Sequence, residues 1–174
     1  MGRNPSTPNP TQLTSPKRVE LLGDVEIGPA IAAPLGGLNP YNSHFDKIGK
    51  QFYQLLIEHA GLQKNHHILD IGCGTGRITK PLMSFLSDGL YDGFDVNQRF
   101  LDYCRNIYKI NNFSFTHCDV QHDEFNPIGL LNANTVRFPY PAKTFDVVVA
   151  VAVFNHFYTS WVFQYVREIS RVLK

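Results

Sequence analysis

The chain of 174 residues is 43% hydrophobic and 18% charged, a composition that allows one globular domain with a sizeable core and leaves no room for two. Its 16 Lys and Arg residues oppose 15 Asp and Glu residues, so the net charge of +1 offers no broad field to polyanions and argues against a nucleic-acid partner. The longest apolar run, residues 147–154, is too short to span a bilayer. Three cysteines without framework spacing predict reduced thiols in a cytoplasmic protein.

The first 45 residues differ in composition from the rest of the chain. Residues 1–17 contain four prolines among Asn, Ser and Thr and have almost nothing to bury, so they are predicted to form a disordered arm. Residues 18–45 are punctuated by Pro34, Gly36, Gly37 and Pro40, which predicts an irregular segment able to act as a lid over a pocket. The folded domain is therefore predicted to span residues 46–174.

An alternation of helical and strand-like patterns follows that segment. Apolar residues at helical spacing between Ile48 and His59 predict a helix that Gly61 ends. The next predicted elements are strands at residues 67–71, 90–96, 113–118 and 145–154, and helices at residues 78–86, 100–108 and 162–173. The valine-rich run at 145–154 does not alternate, so it predicts a strand buried on both faces, as parallel strands are. Together these elements predict an α/β fold with an open, doubly wound parallel sheet and ligands at the carboxyl ends of its strands.

The turn after the first predicted strand is rich in glycine. It has the sequence DIGCGTG over residues 70–76, and Arg77 follows it. Glycines at such a turn let the backbone bend tightly and approach a ligand, and the helix N-terminus behind them favours polar or anionic groups. A dinucleotide-binding GxGxxG turn needs its third small residue at position 77, so Arg77 argues against a nicotinamide cofactor.

This turn resembles motif I, DxGxGxG, of the class I S-adenosylmethionine-dependent methyltransferases. The resemblance implies a Rossmann-like fold, S-adenosyl-L-methionine as cofactor and S-adenosyl-L-homocysteine as product. It also implies that Gly72, Cys73, Gly74 and Gly76 contact the cofactor. In the family the position of Asp70 orients the glycine loop near the methionine amino end of the cofactor, so Asp70 is expected to form local hydrogen bonds.

Acidic residues end the next two predicted strands. Asp95 follows Gly76 by 19 residues, near the distance at which an acidic residue reaches the ribose hydroxyls in the related dinucleotide fold. Asp119 ends the third strand, where the resemblance implies contact with the adenine amino group, and Val96 and Val120 would flank the purine. Each aspartate alone is better explained by a helix cap or a solvated strand end. Their joint placement at successive strand ends favours the cofactor.

Two blocks around the fourth predicted strand extend the resemblance. Residues 138–148, FPYPAKTFDVV, are similar to the family pattern FPFPxxxFDVV. Residues 152–157, AVFNHF, resemble the SVFTH block of members that act on small molecules, glycans or lipids. The methyl group would face this turn, and Val151 just before it is expected to contact the cofactor. The Asn/Asp-Pro-Pro-aromatic tetrapeptide of amino-methylating DNA enzymes is absent, which again argues against nucleic acid.

His156 is the candidate catalytic residue. Methyl transfer from a sulfonium is an in-line displacement that depends largely on orientation, but a hydroxyl acceptor benefits from a base. An imidazole on the acceptor side suits that role, and the alternative is that His156 binds the backbone and fixes the turn. His117, Cys118, Asp119 and His122 are possible metal ligands, but no metal site is predicted, because residues 117–119 alternate between the two faces of one strand and no second cluster completes the set.

The chain stops after the helix that in the family leads into a fifth strand. The family's seven strands run in the order 3-2-1-4-5-7-6, so only 3-2-1-4 is expected here, incomplete at the C-terminus. The fourth strand would then form an apolar edge. We therefore expect a fragment, a truncated product or a homo-oligomer that pairs this edge.

The function predicted from the sequence is S-adenosylmethionine-dependent methyl transfer to a small-molecule, glycan or lipid-linked acceptor. A non-catalytic module that binds the cofactor without turnover is the first alternative. A nicotinamide-dependent oxidoreductase is the less favoured second alternative.

Overall fold

The computed structural model describes residues 43–174, so the predicted arm at residues 1–17 and the predicted lid up to residue 42 lie outside the described residues. Helix α1 begins three residues before the predicted domain boundary at residue 46. The described helices are α1 (Ser43–Ala60), α2 (Thr79–Met83), α3 (Gln98–Ile107) and α4 (Thr159–Val172), with a 3-10 turn at Phe154–His156. The described strands are β1 (His67–Ile71), β2 (Leu90–Asp95), β3 (Phe113–His117) and β4 (Val147–Ala150).

The four strands form one sheet in the order β3-β2-β1-β4. Neighbouring strands are parallel, and in their register Ile68 of β1 pairs with Tyr91 of β2 and with Val147 of β4. On the other side of β2, Tyr91 pairs with Phe113 of β3. The predicted α/β class and the strand order 3-2-1-4 are confirmed. All four carboxyl ends meet at one edge, which brings together the turns that follow β1, β2, β3 and β4.

Strand β4 is shorter and less buried than the sequence predicts. The run at residues 145–154 predicted a fully buried strand, but only Val147–Ala150 is extended, and three of these four residues are partly exposed. The last pair joins Ala150 to Ile71. Strand β1 ends there, and because the glycine turn follows, β4 has no further partner on that side. Two residues later the backbone leaves the strand direction at Ala152, which has a φ of 56°. Val151 therefore lies beyond the end of the strand.

The outer edge of β4 is partly covered at its start. The amide of Phe145 donates to the carbonyl of Val172 (3.0 Å), and the amide of Lys174 donates to the carbonyl of Phe145 (3.0 Å). The end of the chain thus runs parallel to the segment that leads into β4. Within residues 43–174 no strand pairs with the outer edge of Val147–Ala150 itself. The predicted homo-oligomer through this edge stays a prediction.

Helices pack on both faces of the sheet. Side chains alternate along a strand, so Leu69 and Ile71 of β1 share a core with Tyr165 of α4, whereas Asp70 faces the opposite way. On that opposite side the hydroxyl of Tyr91 is hydrogen bonded to Thr79 of α2. Helix α4 is also tied to the segment before β4, because buried Glu168 accepts the amide hydrogen of Phe138 at 2.8 Å. None of the helices in the described part of the chain is long and apolar enough to cross a membrane.

Candidate functional site

The turn between β1 and α2 needs its glycines for backbone conformation. Gly72, Gly74 and Gly76 have φ angles of 66°, 56° and 85°, in the left-handed region that side chains with a Cβ rarely adopt. An added Cβ at Gly72 would lie 2.7 Å from Cγ2 of Val153, and one at Gly76 would overlap the ring of Tyr108. The glycine spacing is therefore set partly by side chains that pack onto the turn from elsewhere in the chain.

Asp95, at the end of β2, holds the middle of this turn. One carboxylate oxygen accepts the amide hydrogen of Gly74 at 2.8 Å and the other accepts that of Asn97 at 2.8 Å. Burial raises the pKa of Asp95, and these backbone hydrogen bonds oppose the rise because they favour the ionised form. A carboxylate oxygen accepts more than one hydrogen bond, so Asp95 retains acceptor capacity for hydroxyl groups of a ligand. The acceptor oxygens of Asp95 thus fit the ribose hydroxyls of the cofactor implied by motif I.

Asp70 lies in the core beneath the turn. It is 2% exposed and accepts a hydrogen bond from the hydroxyl of Tyr91 at 2.8 Å, and that hydroxyl is 2.8 Å from the hydroxyl oxygen of Thr79. Burial raises the pKa of Asp70 to about 7, against the lowering effect of the Tyr91 hydrogen bond, and the negative charge of Asp95 raises it further. The bond to Tyr91 joins β1 to β2, a partner that no sequence pattern indicated, and the role of Asp70 in orienting the glycine loop stays a prediction.

Helix α3 supports the turn from the other side. The thiol of Cys104 donates to the carbonyl of Gly74 at 3.3 Å, and the hydroxyl of Tyr108 donates to the carbonyl of Gly76 at 3.3 Å. The hydrogen bond between the thiols of Cys73 and Cys104, together with burial, raises the pKa of Cys73 well above its usual value. Cys73 is thus an uncharged packing group of the turn. Cys104 and Tyr108 were not predicted as site residues; Tyr108 directly follows α3, and its separation of four residues from Cys104 was the only available signal.

Asp119, beyond the end of β3, organises the loop that follows it. One carboxylate oxygen accepts from the side-chain amide of Asn126 at 2.9 Å and the other from the backbone amide of Leu130 at 3.3 Å. Val120 is buried and Val96 is partly buried against the same core. The structure therefore brings Asp95 and Asp119 to the ends of adjacent strands, as predicted, and gives Asp119 a structural role. Contact of Asp119, Val96 and Val120 with adenine stays a prediction.

His156 ends the 3-10 turn that follows β4. Its Nδ1 lies 3.6 Å from a carboxylate oxygen of Glu124, which belongs to the loop after β3. Its ring also packs edge-on against Phe125, with centroids 5.2 Å apart. In the same stretch Val153 touches the glycine turn. Val153 is thus a further candidate beside the predicted contact Val151, and neither His156 as base nor Val151 as cofactor contact is tested by this geometry.

Comparison with known proteins agrees with this architecture. A family model described as a methyltransferase domain matches residues 69–174. The chain is 32% identical to a malonyl-acyl-carrier-protein O-methyltransferase of Halalkalibacterium halodurans over 112 residues. The aligned residues make up 63% of this chain and 37% of that protein. It is 25% identical over 149 residues to a fatty-acid O-methyltransferase of Mycolicibacterium smegmatis, 86% of this chain and 46% of that protein. The chain therefore spans less than half the length of these two curated relatives.

Similarity of fold extends to solved structures. A SAM-dependent methyltransferase from Aquifex aeolicus superposes with a TM-score of 0.54 at 17% identity, over 74% of this chain and 67% of that one. At this identity the likeness concerns the fold alone. The family match covers more than half of the chain and includes the whole glycine turn, both strand-end aspartates and the block around His156. The chain belongs to the methyltransferase domain family, and within it to the class I, S-adenosylmethionine-dependent type whose motif I it carries.

Proposed function

We propose that this chain carries out S-adenosylmethionine-dependent methyl transfer to an oxygen atom of a small-molecule, glycan or lipid-linked acceptor. The observation that carries the proposal is the bond between Asp95 and Gly74, which joins the end of β2 to a turn of three glycines with positive φ. This is the geometry that motif I and a ribose-binding carboxylate require. Transfer to oxygen is supported by the two curated relatives, which are both named O-methyltransferases.

The residues of the chain have separate tasks in this reaction. When bound, the cofactor supplies a methyl group on a sulfonium, which is a good leaving group. Asp95 accepts hydrogen bonds from the ribose hydroxyls, and Val96 and Val120 flank the purine. The glycine turn, held by Asp95 and by Cys104, orients the methionine end toward the turn after β4. The barrier of an in-line displacement depends strongly on the alignment of nucleophile, methyl carbon and sulfur. By holding the cofactor in one orientation, the glycine turn therefore contributes to the rate.

Titration of S-adenosylhomocysteine into the chain by calorimetry tests the proposal. We expect saturable binding by the original chain and a loss of at least tenfold in affinity for Asp95→Asn, which keeps the size of the side chain but removes its charge. Asp102→Asn is the matched control, since Asp102 is exposed on α3 and pairs with Arg105. Thermal unfolding of each variant verifies the fold. Equal affinities for the original chain and Asp95→Asn would refute the assignment of the ribose site, and no binding at all by the folded chain would refute the proposed function.

A further inference from the structure

The loop between β3 and β4, residues 118–146, is built as a compact unit on the acceptor side. The side-chain amide of Asn126 donates both to Asp119 (2.9 Å) and to the carbonyl of Val120 (3.1 Å). Gly129 fits against this amide, because an added Cβ would lie 2.6 Å from it and 2.6 Å from the backbone nitrogen of Gln121. The side chains that this loop presents near β4 are therefore held in defined positions.

One of those side chains, His122, has an unused hydrogen-bond donor. Its Nδ1 accepts from the backbone amides of Glu124 (3.2 Å) and Phe125 (3.3 Å), which assigns the proton of the neutral ring to Nε2. The residue is 8% exposed, and its Nε2 has no hydrogen-bond partner in the described part of the chain. Buried donors are nearly always paired, so this N–H is a candidate ligand contact.

Aromatic rings from two segments surround His122. Its ring centroid lies 4.9 Å from that of Phe125, 5.9 Å from that of Trp161 and 6.3 Å from that of His156. The bonds to Nδ1 fix the backbone of Glu124, whose carboxylate lies 3.6 Å from Nδ1 of His156. His122 thus shapes the turn that places Glu124 beside the candidate base.

A pocket of about 200 Å³ opens next to this cluster; Trp161 belongs to both, whereas His122, Glu124 and His156 do not line the pocket. Most of the other side chains that line it are polar, with one small apolar residue: Gln121, Asp123, Asn132, Ala133 and Asn134. Amide groups both donate and accept, as hydroxyl groups do, and an indole ring offers a flat apolar surface. Such a lining matches a molecule with many hydroxyl groups and an apolar face.

The charges around the pocket disfavour an anionic acceptor. Residues 118–136, the part of the loop that includes its pocket-lining residues, and residues 147–166, which supply the turn and the start of α4, contain no lysine or arginine; Arg137 and Lys143 belong to the later part of the loop. They contain three acidic residues, Asp119, Asp123 and Glu124. Carboxylates in proteins are usually held by the guanidinium of arginine or the ammonium of lysine. A neutral hydroxyl acceptor therefore suits these two segments better than the carboxylic acid that the fatty-acid relative is named for.

The geometry points to a neutral carbohydrate as the acceptor, stacked on Trp161 in the pocket, with one hydroxyl group reaching past Trp161 to the buried Nε2–H of His122. In this site Glu124 is a positioning residue that orients His156, and His156 is the catalytic base for a carbohydrate hydroxyl. The inference rests on the proposed methyl transfer and names the acceptor class of that same site.

The reaction balances with these groups. The O–H bond of the acceptor breaks and its proton passes to Nε2 of His156, while Nδ1–H of the same ring faces Glu124. The acceptor oxygen forms a bond to the methyl carbon as the carbon–sulfur bond of the donor breaks, and the electron pair of that bond stays on sulfur. The products are a methyl ether and neutral S-adenosylhomocysteine. The His156 side chain is 36% exposed, so water can remove the proton from the imidazolium.

Fluorescence of Trp161, the single tryptophan of the chain, reports on the pocket without any turnover. The full chain is titrated with the methyl α-glycosides of glucose, mannose and galactose, and separately with octanoate and malonate. We expect a saturable change in emission with at least one glycoside and none with the carboxylates. A response to the carboxylates alone, or to none of the five compounds, would overturn the inference.

Two substitutions at His122 separate ligand contact from loop structure. Asparagine places its amide near the position of Nδ1 and can keep the backbone contacts, whereas it lacks the donor at Nε2. For His122→Asn we expect an unchanged melting temperature and glycoside binding weakened at least tenfold. His122→Gln, which retains a donor near Nε2, is expected to bind more tightly than His122→Asn. His59→Gln, at an exposed position on α1, is the matched control. Equal glycoside affinity of His122→Asn and the original chain would overturn the role of His122.

Transfer of a labelled methyl group to the bound glycoside tests Glu124. For Glu124→Gln we expect kcat to fall at least tenfold with KM nearly unchanged, and Glu124→Asp to recover part of the loss. A change in KM alone for Glu124→Gln would overturn the role of Glu124 and His156 in catalysis. The same holds if the original chain binds the methyl donor and the glycoside but transfers no methyl group. Binding of S-adenosylhomocysteine is measured on every variant. If the original chain does not bind S-adenosylhomocysteine, the proposed function is refuted. If it binds S-adenosylhomocysteine but does not prefer glycosides to carboxylates, only this inference is refuted.

Discussion

Replacing Asp70 by asparagine is expected to change the free energy of unfolding in a pH-dependent way. The variant is expected to gain stability relative to the original chain as the pH rises from 5 to 8. Asp70 is 2% exposed, and burial raises its pKa from 3.8 to about 7, although the hydroxyl of Tyr91 donates a hydrogen bond to it. An acid whose pKa is higher in the folded state binds its proton more tightly when folded. The free energy of unfolding therefore falls as the pH rises from 3.8 through about 7, because the unfolded chain ionises first.

The size of the effect follows from the two pKa values of Asp70. Above pH 7 the full difference between 3.8 and about 7 applies, and at about 1.4 kcal/mol for each unit it amounts to about 4 kcal/mol. Roughly 2.5 kcal/mol of that loss falls between pH 5 and pH 8. Asparagine has no charge to bury, and its side-chain oxygen can still accept the hydrogen bond from Tyr91. The variant therefore escapes the loss.

Urea unfolding at several pH values between 5 and 8 measures this effect. The free energy of unfolding of Asp70→Asn, minus that of the original chain, is expected to rise by about 2.5 kcal/mol across that range. Asp88→Asn is the control, because Asp88 is exposed and its carboxylate accepts only a bond from Ser87 among the described contacts. A difference for Asp70→Asn that stays constant with pH, or an equal trend for Asp88→Asn, would refute the reasoning.

Two further stability predictions rest on contacts in the core. Gly76→Ala is expected to cost at least about 2 kcal/mol, since φ is 85° and the new Cβ would overlap the ring of Tyr108. Gly61→Ala, at a φ of 61° with nothing within 4 Å of the new Cβ, is expected to cost only about 1 kcal/mol in the same urea experiment, and equal costs would contradict the packing argument. Glu168→Ala is expected to cost about 3 kcal/mol, because it removes the 2.6 Å ion pair with Arg171 and leaves the buried amide of Phe138 without its acceptor. A loss below about 1 kcal/mol, typical of an exposed pair, would show that Glu168 does not anchor α4 to the segment before β4.

The strand order 3-2-1-4 could be predicted from the resemblance to the class I methyltransferases, whereas the parallel α/β sheet itself could be predicted from local signals. Apolar runs of strand length, separated by helical patterns, define successive crossover units, and such units are right-handed in nearly all known sheets. The glycine turn and the aspartates Asp95 and Asp119 could be placed at one edge for the same reason, since parallel strands align their carboxyl ends. The length of β4 could not be predicted in this way. It depends on where the neighbouring strand ends, at Ile71, and not on the valine-rich sequence of β4 itself.

The sequence alone thus determined the family, the sheet and the cofactor edge, because each rests on residues close together in the chain. Only the tertiary structure decided which side chains complete the site. Tyr108 supports a turn more than 30 residues earlier, and Glu124 faces His156 from a different loop. His122 is left with a buried, unpaired N–H by the way its loop closes. These contacts join segments that are distant in sequence, and no local pattern of hydrophobicity or charge encodes which distant partners meet.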